Sequence, residues 1–371
     1  MPSEIQIFTA LSSSAKTSLL HAKAEMSKKY LTAASAPIAG PRGFRAMASS
    51  ARTATATNVV GVGVDEKYVD GLPTGVHVVK FLVKTKFLKS SLSRAETLPT
   101  SVGGFDTDVE EVGLIVPLAR AKRAVRTAAV AGAMPNPKTR IRPAQPGSSI
   151  GFRDPNNAFV MAGTFGALVK DTQGNIYVLS NNHVLANESG VTASGQHHVG
   201  LPVGSSIFQP GLLDGGQDPA DKIAELTRWV DLHADQSDNK VDCAIAKAIS
   251  SSVVSRNILF IGPPQGTAAA TPDMIVHKFG RTTSYRAGRV SSVLFDLTIS
   301  YDVGPVAFVD QISVRGLNAK PFSDAGDSGS AILERSTNKV VGLLFAGATN
   351  GSMTFANHIA DVFSQLKVSL A

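Results

Sequence analysis

Gly326-Asp327-Ser328-Gly329-Ser330 is the stretch of the chain on which the prediction of its fold depends. A serine between two glycines can lie in a tight, exposed turn. The backbone N–H groups of Gly326 and Ser328 can then converge on an oxygen that becomes negative when a carbonyl is attacked. The string alone is weak evidence, because short motifs also occur by chance. Such a nucleophile needs a general base and an acceptor that orients the base.

Both partners are present upstream of the serine. His183 follows an apolar run of strand-forming residues, so it is predicted to lie at a strand end. Asp242 is the one acid of an otherwise apolar segment, where an unpaired carboxylate would be costly, and it therefore needs a partner. Other acids compete with it, in a polar, Gly- and Pro-rich stretch predicted to be a solvated loop: Asp214, Asp218, Asp221, Asp231, Asp235 and Asp238.

The order of these residues and their surroundings resemble the trypsin/chymotrypsin-like serine peptidases, more closely the bacterial branches than the disulfide-rich secreted ones. The matching segments are Asn182-His183-Val184-Leu185-Ala186, Val241-Asp242-Cys243-Ala244-Ile245-Ala246, Lys278-Phe279-Gly280-Arg281-Thr282-Thr283 and Gly326-Asp327-Ser328-Gly329. The resemblance covers about residues 150–371. It implies a mainly β fold, a double antiparallel β-barrel with a C-terminal helix and an active site in the cleft between the barrels.

By this resemblance the chain is a serine endopeptidase acting on protein or peptide substrates. His183 would take the proton of Ser328, Asp242 would orient the imidazole, and the amides of Gly326 and Ser328 would form the oxyanion hole. The alternative is an inactive protease-like scaffold that acts as a binding module. We expect no cofactor, and no metal at His197-His198, because neighbouring strand residues point to opposite faces.

Asp327 is predicted to form an internal ion pair with Lys278. In animal members of the family the equivalent aspartate binds an N-terminal amine freed by cleavage, but Ile150-Gly151 follows Ser149 rather than Arg or Lys. Some bacterial relatives carry a basic side chain just before Gly-Arg-Thr-Thr, where Lys278 stands. By family position the specificity pocket is lined by Phe322, Ser323 and residues 342–347. Neither set places a charge at the base of the pocket, which favours a small or apolar residue before the cleaved bond.

The N-terminal part is predicted to be organised differently. Residues 56–118 read as a small α+β module, with strands near 58–64, 76–86 and 107–118 and a short helix within 88–96. A regulatory, inhibitory or targeting role is expected for it. Gly61 and Gly63 lack the third glycine and the helix of a nucleotide site. The predicted segments are a disordered or loosely helical leader at 1–55, the module at 56–118, a basic Ala/Pro/Gly-rich linker at 119–149 and the peptidase domain at 150–371.

Composition fits a globular protein of 371 residues with a formal net charge of +7. The basic excess lies in the first 150 residues. Their linker lacks aromatic residues for base stacking, so we expect a solvated tether and not a nucleic-acid partner. The single cysteine, Cys243, excludes an internal disulfide and is predicted to be a buried core residue. No apolar run suits a signal peptide or membrane span, which favours a cytoplasmic location, or an organelle if the source is eukaryotic. The oligomeric state is left open.

Overall fold

The computed structural model describes residues 11–31, 58–69, 72–94, 96–118, 134–154 and 160–371. Its first strands precede the barrels: β1 (Val59–Val69), β2 (Leu72–Val83), β3 (Ser101–Val102), β4 (Phe105–Glu111) and β5 (Ile115–Pro117). The next ten are β6 (Ser149–Phe152), β7 (Gly163–Thr164), β8 (Ala167–Lys170), β9 (Ile176–Ser180), β10 (Gly190–Val191), β11 (His197–His198), β12 (Ser206–Phe208), β13 (Lys222–Trp229), β14 (Leu232–His233) and β15 (Ala244–Ala248). The last are β16 (Ile275–Gly280), β17 (Ser284–Tyr301), β18 (Gly304–Gly316), β19 (Ala331–Glu334), β20 (Val340–Ala348), β21 (Thr354–His358) and β22 (Ser369–Leu370).

The first barrel follows the strand order β8-β9-β15-β13-β12-β6-β7. Only Phe165 and Gly166 separate β7 from β8. The Phe165 N–H donates to Ser148 O at 2.9 Å, and the Gly166 N–H donates to Leu179 O at 2.9 Å. Residues 163–170 therefore run as one bent strand that pairs on both sides and closes the barrel. Its interior is filled by apolar side chains that include Phe152, Val178, Ile207, Leu226 and Ala246.

The second barrel follows the order β16-β19-β20-β21-β18-β17, and β17 pairs back with β16. Its pairs are antiparallel. After β21 the chain forms a helix over Ile359–Leu366, which packs Ile359, Val362 and Leu366 into the core shared with the barrels. The predicted fold class, a double antiparallel β-barrel with a C-terminal helix after a small α+β part, is confirmed.

The strands of the N-terminal part extend the sheet of the second barrel. β1 pairs antiparallel with β17, with Gly61 opposite Leu297, and β2 and β4 continue the sheet beyond β1. The strand predicted near 58–64 lies in β1 from Val59 onwards, and the strand predicted near 76–86 overlaps β2, which ends at Val83. The third prediction, 107–118, is broken around Gly113, whose φ of 72° turns the chain from β4 towards β5. The helix predicted within 88–96 is only a 3₁₀ turn at Lys89–Ser91.

Within the predicted leader, residues Ser13–Tyr30 form a regular helix, α1, whose first N–H groups are capped by Ser12. Its buried stripe of Leu19, Ala22, Met26 and Tyr30 has helical spacing and packs on the strands β1 and β2. This face was not recognised in the sequence, because a stripe of four residues is informative only when its partner surface is known. Residues 1–10 and 32–55 of the leader lie outside the described residues.

Two acids expected in a solvated loop instead pair with arginines, Asp221 as a buried residue and Asp214 as a half-buried one. Asp221 contacts Arg140 at 2.7 Å and Arg142 at 3.1 Å, so this part of the predicted basic linker is fastened to the first barrel. Asp214 pairs with Arg281. The loop prediction was wrong for these two acids because their distant partners are not visible in local composition. The arginines and lysines at 120–126 lie outside the described residues.

Cys243 is wholly buried in the core, as predicted. Burial, and then the nearby Asp242, raises the pKa of the thiol well above its ordinary value, which makes it a poor nucleophile. Within the part of the chain that the structure describes, no helix combines the length and the apolar character needed to cross a membrane.

Candidate active site

His183 and Asp242 meet because their strands are neighbours. His183 lies in a helical turn, α2 (Asn182–Leu185), directly after β9, and Asp242 lies just before β15. β9 pairs with β15, with Ser180 opposite Ala244, so both loops leave the same end of the barrel. His183 Nδ1 contacts Asp242 Oδ2, and the His183 N–H donates to Asp242 Oδ1 at 3.2 Å. Both side chains are wholly buried.

The carboxylate of Asp242 has a further partner that the sequence analysis missed. The hydroxyl of Tyr301, at the end of β17, donates to Asp242 Oδ2 at 2.8 Å. Burial, and then the Asp242 carboxylate, raises the pKa of Tyr301 well above its ordinary value, so the hydroxyl stays protonated and remains a donor. The Asp242 N–H donates to Asn357 Oδ1 at 3.0 Å. The second barrel therefore holds Asp242 in place for His183.

The turn that carries Ser328 requires its glycines. Gly326 and Gly329 have φ values of 100° and 91°, and a Cβ on Gly329 would overlap Ser180 Oγ. The Ser328 carbonyl accepts the Thr164 N–H at 2.8 Å. A Cβ on Gly163 would meet both Val184 and the Ser328 carbonyl, which places Ser328 beside the neighbour of His183. The two barrels thus bring the three predicted residues into one region.

The Ser328 hydroxyl does not contact the histidine in this conformation. It donates to the carbonyl of Phe345 at 3.1 Å, and His183 Nε2, which is buried, has no hydrogen-bond partner among the described residues. Because Nδ1 is held by Asp242, Nε2 is the ring nitrogen left to accept a proton. A rotation of the Ser328 side chain away from Phe345 is the step that would bring the hydroxyl to this base.

Lys278 and Asp327 are in contact, and both are wholly buried. Lys278 Nζ lies 2.8 Å from Asp327 Oδ2, and the N–H groups of Thr282 and Thr283 donate to Asp327 Oδ1 at 2.8 and 3.1 Å. Burial lowers the pKa of Lys278, and Asp327 partly opposes this. Burial alone would raise the pKa of Asp327, but the charge of Lys278 and the hydrogen bonds together hold it below its ordinary value. The pair sits directly under the Ser328 turn.

Thr164 joins the turn that carries Ser328 to the segment Gly280-Arg281-Thr282. This link was not anticipated from the sequence. Its hydroxyl donates to the Gly326 carbonyl at 2.9 Å and accepts the Arg281 N–H at 3.0 Å. The Arg281 guanidinium binds both carboxylate oxygens of Asp214, at 2.6 and 2.8 Å. A first-barrel threonine and a first-barrel acid therefore position the turn from the opposite side of the cleft.

The N–H of Gly326, one of the two predicted oxyanion-hole donors, is already engaged. It donates to the backbone carbonyl of Leu118, and the Leu118 N–H donates to the Phe345 carbonyl at 3.4 Å. Leu118 follows β5, which pairs antiparallel with β20. A strand was predicted to end at Leu118, but no local feature indicates that this residue reaches the Ser328 turn, because the contact joins residues 208 positions apart.

The described residues include no group of three or more His, Cys, Asp or Glu side chains placed to hold a metal ion. The arrangement offers a buried imidazole oriented by a carboxylate, a serine hydroxyl in a turn that lies beside Val184, and a backbone N–H that binds a carbonyl oxygen. These are the groups that acyl transfer needs.

No protein-family model matches the sequence, and no curated protein matches it either. Solved structures of proteases are similar to it at low identity. One is a glutamic acid-specific serine protease, at 16% identity over 61% of this chain and 100% of that chain, with a TM-score of 0.42. Another is a protease of Nocardiopsis, at 13% identity over 60% of this chain and 95% of that chain, with a TM-score of 0.40. A third is protease A of Thermobifida fusca, at 15% identity over 61% and 97%, with a TM-score of 0.39.

Proposed function

We propose that the protein is a serine endopeptidase that cleaves protein or peptide substrates through an acyl-enzyme. In the first step His183 Nε2 takes the proton of the Ser328 hydroxyl while Oγ bonds to the substrate carbonyl carbon. The amide of Gly326, with that of Ser328, stabilises the oxyanion. The C–N bond then breaks, and His183 returns the proton to the leaving amine. Water hydrolyses the ester by the same route in reverse.

The observation that supports this proposal is that only one of the two ring nitrogens of His183 has a hydrogen-bond partner. Nδ1 is taken by the buried Asp242, and Nε2 has no partner in the part of the chain that is described. A histidine that served only the core would be expected to use both ring nitrogens, because leaving a buried polar atom unpaired costs about 1–3 kcal/mol. An unpaired, oriented imidazole in the same region as a serine in a glycine turn is the arrangement that catalysis uses.

A fluorophosphonate probe, which reacts with activated serines, tests the proposal. We expect it to label Ser328 in the wild-type protein, as located by peptide mass spectrometry. Labelling should disappear in Ser328→Ala and slow at least about 1,000-fold in His183→Ala, because the general base is lost. His197→Ala is the matched control, since this histidine is exposed on β11, and it should react like the wild type.

The alternative is an inactive protease-like scaffold, and the hydrogen bond from Ser328 to the Phe345 carbonyl bears on it. A serine held permanently on that carbonyl could not act as a nucleophile. In that case the probe would leave Ser328 unmodified in the folded protein. Equal labelling of the wild type and His183→Ala would also contradict the proposed role of the histidine.

A further inference from the structure

Residues 115–118 occupy a sheet edge that the barrel itself leaves vacant. β19 pairs with β20 as far as Leu343, whereas β21 stays paired on the other side up to Gly347. β5 takes over the vacated edge, with Pro117, Val116 and Ile115 opposite residues 346, 347 and 348. An extended segment that adds itself to a free strand edge is one of the general ways in which a protein binds a peptide.

Both the backbone N–H and the backbone carbonyl of Leu118 are hydrogen-bonded close to Ser328. Its N–H shares one acceptor, the Phe345 carbonyl, with the Ser328 hydroxyl, at 3.4 and 3.1 Å. Its carbonyl oxygen accepts the N–H of Gly326, two residues before Ser328. The N–H of Gly326 is where the negative charge of an oxyanion would be stabilised. The Leu118 carbonyl that it binds is therefore placed like the carbonyl of a substrate before attack.

The side chain of Leu118 fills an apolar pocket of the second barrel. It is buried in one cluster with Phe322, Leu344 and Ala356, and a Cβ on Gly347 would come 2.9 Å from its Cδ1. Phe322 and the strand that contains Gly347 are the residues predicted from the sequence to line a specificity pocket. The absence of a side chain at Gly347 leaves the space that the leucine uses.

The residues that precede Leu118 are also held by hydrogen bonds that do not involve Ser328. The Thr349 N–H donates to the Leu114 carbonyl at 2.9 Å, and Asn350 Nδ2 donates to the Glu111 carbonyl at 2.8 Å. His183 and Ser328 are meanwhile wholly buried. An open cleft of about 710 Å³ lies beside Glu110, Arg315 and Lys320, and neither His183 nor Ser328 lines it. The segment is thus placed where an external substrate would have to bind.

We propose that residues 115–118 are the chain's own substrate and that Ser328 cleaves the peptide bond that follows Leu118. This inference rests on the proposed peptidase activity. Ser328 Oγ would bond to the Leu118 carbonyl carbon as its proton passes to His183. The C–N bond after Leu118 would break with return of that proton to the new amine, and water would release Leu118 as a carboxylate. Cleavage would end the covalent link between residues 1–118 and the barrels, while β1 stays paired with β17.

Incubation of the purified full chain, followed by intact mass measurement and a denaturing gel, tests this. We expect the wild type to yield a fragment that ends at Leu118, and Ser328→Ala to stay intact. Leu118→Asp should be cleaved at least about 100-fold more slowly, because a carboxylate is a poor occupant of an apolar pocket. Leu118→Met should be cleaved like the wild type. Leu114→Asp is the matched control, because Leu114 is 51% exposed, and its cleavage should be unchanged.

The fluorophosphonate probe separates failure of this inference from failure of the proposed function. Labelling of Ser328 in a chain that stays intact, or that is cut at another position, overturns self-cleavage after Leu118 and leaves the peptidase in place. Cleavage that persists in Ser328→Ala overturns it as well. If neither the wild type nor Leu118→Asp, whose pocket is no longer filled by the leucine, is labelled or cut, both proposals are wrong.

Discussion

The charge of the Asp242 carboxylate is shared between two side-chain donors. Tyr301 and His183 both contact Oδ2, and they come from different barrels. A hydrogen bond to a charged group contributes about 1.5–3 kcal/mol. The Tyr301 hydroxyl bonds to Asp242 and not to Ser328, so we propose for it a positioning role that acts through Asp242.

We expect Tyr301→Phe to slow labelling of Ser328 by a fluorophosphonate about 10-fold, because the carboxylate loses one of the bonds that fix it against His183. The hydroxyl also draws charge from Asp242. Without it the carboxylate stabilises an imidazolium more strongly, and the acid limb of the pH–rate profile should move to higher pH. A purely structural role would change the rate without moving the limb. Tyr177→Phe removes a hydroxyl from the distant Asp171 and should leave both unchanged.

The buried ion pair of Lys278 and Asp327 should be costly to break. In Lys278→Met the carboxylate keeps its bonds from Thr282 and Thr283 but loses its counter-charge at 2.8 Å. We expect the free energy of unfolding, measured in urea, to fall by about 3–5 kcal/mol. Lys247→Met alters an exposed lysine of β15 and should stay within about 0.5 kcal/mol of the wild type. Equal stability of the two variants would contradict a supporting role for the pair.

The same pair predicts how stability responds to acid. The pKa of Asp327 is held below its ordinary value in the folded protein, so as the pH falls the unfolded chain takes up the proton first. The stabilisation is complete above the unfolded pKa, near 4, and is lost as the pH falls towards the folded pKa. Between pH 6 and pH 3 the free energy of unfolding should therefore drop less in Asp327→Asn than in the wild type. Asp273→Asn, whose side chain is 70% exposed, should drop as much as the wild type.

Residues that stand out in a short stretch of sequence could be predicted, whereas residues that reach the site through long-range contacts could not. The turn glycines, the strand before His183 and the apolar setting of Asp242 are local, so the sequence identified these residues, whose catalytic roles stay predictions. The Lys278 position came from the family resemblance. Tyr301 and Leu118 reach the site from strands that the fold brings in from far along the chain. Nothing in their immediate neighbours distinguishes them from ordinary core residues.

At the scale of elements, the glycines of β1 explain how the N-terminal strands join the barrel. Gly61 lies opposite Leu297 in the β1–β17 pair. A Cβ on Gly63 would overlap the ring of Phe295 in β17. The G-x-G string that the sequence analysis rejected as a nucleotide site therefore has a packing role, because it lets two strands and an aromatic ring approach closely.

We expect Gly63→Ala to lower the free energy of unfolding by about 1–3 kcal/mol, since the methyl group and the Phe295 ring cannot occupy the same space. Adding Phe295→Leu should restore part of the loss, because the smaller side chain makes room for the methyl group. The two changes would then be coupled in a double-mutant cycle monitored by urea unfolding. Simple additivity of the two losses would show that the ring is not the obstacle.

Strand prediction succeeded where one apolar pattern continued and failed where the chain changed partner. β1 and β2 pair with each other along most of their length, and both were predicted. β4 and β5 were predicted as one strand, yet β4 pairs with β2 and β5 pairs with β20, with the left-handed Gly113 between them. The change of partner depends on the vacant edge of β20. That edge is a property of the assembled barrel and leaves no trace in residues 107–118.

At the scale of the whole molecule, the N-terminal strands and the second barrel share a sheet and a cluster of charges. Arg315 of β18 binds Glu110 of β4 at 2.7 and 2.9 Å and Asp65 of β1 at 3.3 Å. Its guanidinium also lies 4.6 Å from the centre of the Tyr68 ring. Lys80 of β2, wholly buried, lies 3.4 Å from the same Asp65. Removal of Arg315 would leave the buried Asp65 and the half-buried Glu110 with one cation, Lys80, instead of two.

We expect Arg315→Met to loosen the N-terminal strands while the barrels stay folded. Losing one partner of a buried charge cluster costs about 3–5 kcal/mol, so amide hydrogen exchange in β1, β2 and β4 should become at least about 100-fold faster. Exchange in β9 and β15, in the first barrel, should not change. Arg153→Met, which removes a half-exposed pair with Asp218 at 3.1 Å, is the control and should leave both regions as in the wild type. If β1 and β2 kept their protection in Arg315→Met, Arg315 would not be needed to hold the N-terminal part to the barrel.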